Sequence, residues 1–200
     1  MDLDKQISYI VMYGFIIVGY VACLLSVRYS QLSLQIIEQD FKTGLYNYRS
    51  FVEKMHEAIE ANREEQASVC LAMIDIDHFK QINDTYSHDD GDTVLRKLAE
   101  ILKQYCGHRD KAFRYGGEEF AVIFTGKTLE ESQQLLQKMH TAFSEVKYDF
   151  TDETITFSAG VTGYCSGESD EAFLNRADAL LYEAKENGRN RIVADLQVTV

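Results

Sequence analysis

The sequence predicts an α/β (α+β) domain, a mixed sheet flanked by helices, preceded by one transmembrane helix. Three observations predict it. Ser68 to Ile74 is an apolar run that ends in Asp75-Ile76-Asp77, as a buried strand would. Gly116-Gly117 is flanked by Lys111–Tyr115 and Phe120–Phe124, the pattern of a β-hairpin. Stripes at helical spacing alternate with these strands, so a sheet covered by helices follows.

The elements follow in order along the chain. Ile7 to Val27 is 21 residues without a charge. At about 1.5 Å per residue it would span roughly 30 Å, one hydrocarbon core. Tyr9, Tyr13 and Tyr20 add amphipathic rings. The leader is not basic and the run is too long for a signal peptide. Residues 1–28 are therefore the expected membrane segment. Lys5 on one side against Arg28, Lys42 and Arg49 on the other favours a cytoplasmic C-terminal side. With six residues ahead of the run, no sensor is expected beyond the bilayer.

Residues 29–40 read as a helical linker. Val27, Leu34, Ile37 and Phe41 fall on an a/d seam that could pair two copies of the chain. A one-sided helix packed on its own domain gives the same pattern. The globular domain is expected over 41–195, with 196–200 as a tail. Phe51, Val52, Met55 and Ile59 form its first helical stripe. Val94, Leu95, Leu98, Ala99 and Leu102 form the second, and Leu135, Leu136, Met139, Phe143 and Val146 the third. Thr154 to Thr162 reads as a strand with Gly160 inside it. Phe173 to Ala184 is a fourth helix closed by Gly188, and Arg191 to Ala194 a last short strand.

The composition excludes one class. The net charge is −12, which argues against a generic nucleic-acid surface. An acidic protein that handles phosphates needs metal ions and a few placed cations. The four cysteines show no metal-ligand spacing and read as free thiols in a reducing compartment.

The chemistry concentrates at two places. Glu118 and Glu119 follow the two glycines directly. Glycines permit positive φ and close approach of a ligand. Adjacent carboxylates repel, but suit a divalent cation. A solvated acidic turn has the same local pattern. Asp75 and Asp77 share one face at a strand end, a common position for metal ligands. Asp77 is equally suited to capping a helix that starts near His78. His78-Phe79-Lys80 supplies backbone N–H groups and a cation for phosphate. Asn83, His88 and Asp92 follow. An Asp carboxylate can accept from guanine N1–H and the 2-amino group, whereas adenine presents the opposite pattern.

These residues carry a resemblance. Asp75-Ile76-Asp77-His78-Phe79-Lys80-Gln81-Ile82-Asn83-Asp84, His88, Gly91-Asp92 and Arg114-Tyr115-Gly116-Gly117-Glu118-Glu119-Phe120 closely resemble the GGDEF family of diguanylate cyclases. So do Asp40, Thr43-Gly44-Leu45, Asn47, Ser158, Gly160-Val161, Ala184-Lys185 and Gly188-Arg189-Asn190. The resemblance implies the palm-like sheet of nucleotide cyclases. It implies condensation of two GTP into cyclic di-GMP and two pyrophosphates, by two domains facing each other in a homodimer. Asp75, the Ile76 carbonyl, Glu118 and Glu119 would then hold Mg²⁺, with Mn²⁺ as the alternative ion. Glu118 would also take the proton, Glu119 would act near the attacking 3′-OH, and Lys80 would stabilise phosphate charge. Asn83 and Asp92 would read guanine with His88 nearby. His78 and Phe79 would line the phosphates, and Lys185 and Arg189 would reach their far end. The implied partners are GTP, a second copy and, through residues 7–27, a lipid bilayer; nucleic acid is not among them. The expected location is a bacterial inner membrane, crossed once, with the catalytic domain cytoplasmic. The alternative is a GTP- or cyclic di-GMP-binding module with weak catalysis.

The sequence also departs from the family. An inhibitory product site of the form Arg-x-x-Asp retains Asp110, but Gly107 stands in the arginine position. Feedback inhibition through it is therefore expected to be weak or absent. Lys42 replaces an apolar residue, Tyr48 an arginine and Ser87 a glycine. None of the three is expected to touch a metal or guanine ligand.

Overall fold

The computed structural model describes residues 3–65 and 68–195, with backbone alone at 3–11, 29–37 and 63–65. Two compact units divide the chain between Glu38 and Gln39. The first is helix α1, Leu3–Glu38. Phe15, Ile16, Ile17 and Val18 on it are exposed. Among the described residues no helix is long and apolar enough to cross a membrane. The expected span starts at Ile7, and the side chains of residues 7–11 lie outside the described set, as do those of Leu34 and Ile37 on the expected seam. Phe41 does not belong to that seam. The helix has ended at Glu38, and a turn follows in which Gly44 N donates to the Asp40 carbonyl and Asp40 N to the Leu45 carbonyl.

The second unit alternates helices and strands. They are α2 Tyr48–Glu65, β1 Val69–Ile76, α3 Phe79–Thr85, α4 His88–Tyr105, β2 Lys111–Arg114, β3 Glu119–Thr125, α5 Leu129–Ser144, β4 Phe157–Gly163, α6 Asp170–Glu186 and β5 Ile192–Ala194. The sheet order is β2-β3-β1-β4-β5. All neighbours are antiparallel except β4 and β5, so the sheet is mixed.

β1 lies at the centre and is covered on both faces. Cys70, Ala72, Ile74 and Ile76 enter a core with Val94, Leu98, Leu102, Leu136, Met139 and Phe143 from α4 and α5. Val69, Leu71 and Met73 enter another with Phe51, Met55, Ile59, Phe173, Ala177 and Leu181 from α2 and α6. Burial on both faces explains why β1 is a continuous apolar run rather than an alternating one. It also brings the first polar residues, Asp75 and Asp77, to the strand's end.

The helices start earlier than their apolar stripes, because their caps are polar. Ser87 caps α4 by accepting from Asp90 N. Thr128 and Glu131 form a capping box at α5, and Ser169 caps α6.

Candidate active site at the glycine turn

The register of the sheet gathers the acids. Asp75 on β1 stands opposite Glu119 on β3 and Ser158 on β4. Opposed residues share a face, here the face covered by α6. Gly160 on β4 lets that helix come close. A Cβ there would run into Leu181 N and the Ala177 carbonyl of α6, with Leu180 C at 2.6 Å. The close approach carries the last turn of α6 to the acids, where Lys185 Nζ lies 2.8 Å from Asp75 Oδ2.

Charge is crowded here. Burial pushes Asp75 above its ordinary pKa, against the pull of Lys185. Burial, then the charges of Asp75 and Glu119, push Glu118 up as well. Asp178 joins this set and was not expected from the sequence. Burial and then Glu119 raise its pKa. It lies seven residues before Lys185, so helical periodicity places the two on one face, and that spacing was the available signal.

The glycine turn runs from Tyr115 to Glu118. Tyr115 N and Gly116 N both donate to the Glu119 carbonyl, at 2.8 and 3.1 Å. Neither Gly116 nor Gly117 adopts positive φ, contrary to the usual reason for such a pair. At Gly116 a Cβ would lie 2.6 Å from Glu119 Oε2, so a side chain there would displace the flexible end of Glu119. Nothing lies within 4 Å of a Cβ at Gly117, so that position is open. Arg114 braces the turn. Its Nη2 donates to the Gly117 carbonyl at 2.8 Å, and its Nη1 to both oxygens of Asp40 at 3.0 and 3.2 Å. Burial alone would raise Asp40, but bonds from Thr43 and Arg114 outweigh it and hold the carboxyl below its usual range.

Asp77 behaves differently from Asp75. It is buried and accepts from Thr156 Oγ1 at 2.6 Å, Ser158 Oγ at 2.7 Å and Asn190 N at 3.0 Å. It ties β1 to β4 and to the loop after α6 rather than capping α3, and its charge adds to the rise of Asp75. His78 takes the N-cap place of α3 in the left-handed region, φ 57°, with no side-chain cap bond. Phe79 is buried, so only its backbone faces outward chemistry, while Lys80 in the first turn is exposed.

Asn83 on α3 and Asp92 on α4 stand on the two sides of the α3–α4 corner. The Asn83 amide lies directly over Gly91, where a Cβ would collide with its Oδ1. His88 is exposed in the first turn of α4. Arg189 follows Gly188 with φ 61° and an exposed side chain, and its charge reaches Asp75.

The site offers only oxygen donors to a cation, which fits a hard divalent ion such as Mg²⁺. Among the described residues no three His, Cys, Asp or Glu side chains are preassembled as a metal group. Asp75 is paired with Lys185 instead.

Residues 37–191 match the family described as "Diguanylate cyclase, GGDEF domain". The chain belongs to the GGDEF family. It is 40% identical over 159 residues to diguanylate cyclase VdcA of Vibrio cholerae, covering 77% of this chain and 46% of that one. An uncharacterised membrane protein of Staphylococcus aureus is 34% identical over 159 residues, covering 77% and 45%. The solved coiled coil and GGDEF domain of DgcB from Caulobacter crescentus, in complex with c-di-GMP, superposes with a TM-score of 0.82 at 32% identity, covering 90% and 97%. The chain spans between 23% and 47% of the length of the first curated relatives it matches.

Against the GGDEF pattern, three departures acquire a structural meaning. Lys42 does touch an expected guanine ligand: its Nζ lies 2.7 Å from Asp92 Oδ1. Ser87 is extended at φ −157° and serves as the α4 cap, so no positive-φ strain arises there. Tyr48 packs edge-on to Tyr115, ring centroids 5.1 Å apart, beside the glycine turn. Asp110 is fully buried; Lys127 Nζ lies 2.8 Å from both its oxygens, and Gly107 N donates to it at 2.8 Å.

Proposed function

We propose that this chain is a Mg²⁺-dependent diguanylate cyclase that condenses two GTP into cyclic di-GMP with release of two pyrophosphates. The observation that carries the reading is the row of acids. Asp75 and Glu119 stand opposite each other in register, with Glu118 adjoining at the turn. Burial raises Asp75, and burial with the charges of Asp75 and Glu119 raises Glu118, a cost that a cation would relieve. Asp75, the Ile76 carbonyl, Glu118 and Glu119 would hold Mg²⁺ or Mn²⁺, which neutralises phosphate charge when bound.

The remaining work belongs to the chain. Asn83 and Asp92 hold the base, with His88 beside them. The backbone of His78 and Phe79, with Lys80, neutralises the inner phosphates. Lys185 and Arg189 reach the outer ones. Glu118 accepts the 3′ proton as that oxygen attacks the α-phosphorus of a second GTP, and Glu119 favours the charge developing there. Pyrophosphate leaves from the opposite side. Positioning and charge neutralisation dominate such a transfer.

Each domain holds one GTP, so two copies must face each other. The linker at 29–40, helical as far as Glu38, would pair them. The uncharged run at 7–27 would cross a bacterial inner membrane once and leave the domain cytoplasmic; the staphylococcal relative is named a membrane protein. With Gly107 in the arginine position and Asp110 committed to Lys127, feedback through that site is weak or absent.

The test is product formation. Full-length chain in detergent, with Glu118→Ala beside it, is incubated with GTP and Mg²⁺, and cyclic di-GMP is sought by mass. Product from the wild type alone supports the reading. GTP binding without turnover, in a chain shown to be dimeric, replaces it with the binding module.

A further inference from the structure

We propose that Lys42 is a specificity-determining residue of the purine site. Its ammonium, held by Asp92, donates to the 6-oxo group of guanine while Asp92 accepts from N1–H and the 2-amino group. The inference rests on the diguanylate cyclase reading of Asp92.

Lys42 lies 50 residues from Asp92 in sequence, yet its Nζ is 2.7 Å from Asp92 Oδ1. The backbone that carries it is fixed. Asp40 Oδ1 accepts from Thr43 N at 2.9 Å and from Thr43 Oγ1 at 2.7 Å, and Lys103 Nζ donates to the Thr43 carbonyl at 2.9 Å. Both side chains keep an open side, 36% and 24% exposed, so a base can reach them. Among the described residues, Asp92 Oδ2 accepts no hydrogen bond.

A carboxylate has about four lone-pair sites, so Asp92 can hold Lys42 and two guanine N–H groups together. Bidentate contact with N1–H and the 2-amino group sets one carboxylate oxygen beside O6. Two acceptors then face each other with no proton between them. An ammonium already bonded to that oxygen supplies the missing donor, and lysine has three N–H to share. Adenine reverses every partner: its 6-amino group would meet the ammonium, and its bare N1 the carboxylate. An apolar residue at position 42 would take this donor from the 6-position and leave the Asn83 amide as the remaining one.

The probes are the α,β-methylene analogue of GTP, which is not cleaved at the reacting bond, and its 6-thio counterpart. The second keeps both N–H groups for Asp92 and replaces O6 by sulfur, a weak acceptor. Binding to the full-length chain in detergent is measured for wild type, K42M and K42R. The oxo analogue should bind about tenfold less tightly to K42M than to wild type, the lower end of a hydrogen bond to a charged group. The thio analogue should bind the two proteins within about twofold, because little of that bond exists to lose. K42R, which retains donors, should keep most of the preference.

Equal losses for both analogues would reduce Lys42 to a brace for Asp92 and overturn the inference. So would tighter binding of the oxo analogue by K42M, which would make Lys42 a blocker. A wild type that shows the expected pattern but makes no cyclic di-GMP supports the inference while refuting turnover. A wild type that binds neither analogue overturns both.

Discussion

Gly160→Ala tests whether the closeness of α6 to β4 is what brings Lys185 to the acids. The added methyl has no room. It would overlap Leu181 N and the Ala177 carbonyl and sit 2.6 Å from Leu180 C, all of them helix backbone. Carbon contacts settle at about 3.5–4.0 Å, so α6 must retreat by roughly 1 Å. No flexible side chain can absorb that shift. Overpacking of this kind costs about 1–3 kcal/mol, and rigid backbone places this case near 2–3. For a domain of this size the melting temperature should fall by roughly 4–12 °C. Lys185 is one turn beyond Leu181 and moves with the helix, away from a bond of 2.8 Å to Asp75. A 1 Å misplacement in an active site costs about 10²-fold. Gly117→Ala is the control, because nothing lies within 4 Å of its Cβ and its φ is not positive. Thermal melts of the full-length variants in detergent, with rates of cyclic di-GMP formation, give both readouts. A G160A protein that melts within about a degree of wild type, or one that melts lower yet keeps full activity, would refute the argument.

Other expected outcomes follow from the same geometry. Glu118→Gln should reduce product formation by at least about 100-fold, yet raise the melting temperature measured without divalent metal, since its charge is disfavoured by burial and by Asp75 and Glu119; a lower melting temperature would contradict this. Ser87→Ala removes the α4 cap and should cost about 1 kcal/mol, read as a melting shift of roughly 2–4 °C; an unchanged melt would mean the bond to Asp90 N carries nothing. Asp40 has a folded pKa below its ordinary value. Its stabilisation is therefore complete above the unfolded value, about 3.9, and is lost as pH falls through the folded value. Asp40→Asn should be less stable than wild type at neutral pH, with the gap closing in acid; a gap that widens in acid would reverse the sign.

What the sequence made legible was mostly what depends on neighbours along the chain. The two-sided burial of β1 shows as an unbroken apolar run. The hairpin shows as two strand patterns around adjacent glycines. Gly160 inside a strand pattern signals a close approach, and the structure supplies the helix that makes it. Partners distant in sequence were not legible. Alternation sets Asp77 beside Asp75, but only β4 and the loop after α6 reveal that three donors occupy it. Lys42 is separated from Asp92 by the whole of α2, β1 and α3. Ser87 stands in a glycine's place, and only its extended backbone shows it to be the α4 cap. Gly116 leaves room for the Glu119 carboxylate and does not use its backbone freedom.

Burial sorts the lysine-paired acids by what they can do. Asp110 is 0% exposed beneath Lys127, and removing a partner from such a pair leaves a buried charge, at a cost of about 3–5 kcal/mol. That carboxylate holds the fold together and has no capacity left for a ligand. Asp92 is 24% exposed beside Lys42, and Asp75 13% beside Lys185. A solvent-exposed pair contributes about 0–1 kcal/mol, which is the class of Lys42–Asp92, while Lys185–Asp75 lies between the two cases. In the proposed site Asp92 would take the base while keeping Lys42, and Lys185 would yield Asp75 to a cation and stay within reach of the incoming group. Asp75 and Asp92 therefore keep room for a ligand beside their lysines, whereas Asp110 holds Lys127 as structure. The same bond length of 2.7–2.8 Å in all three pairs hides this difference; exposure discloses it.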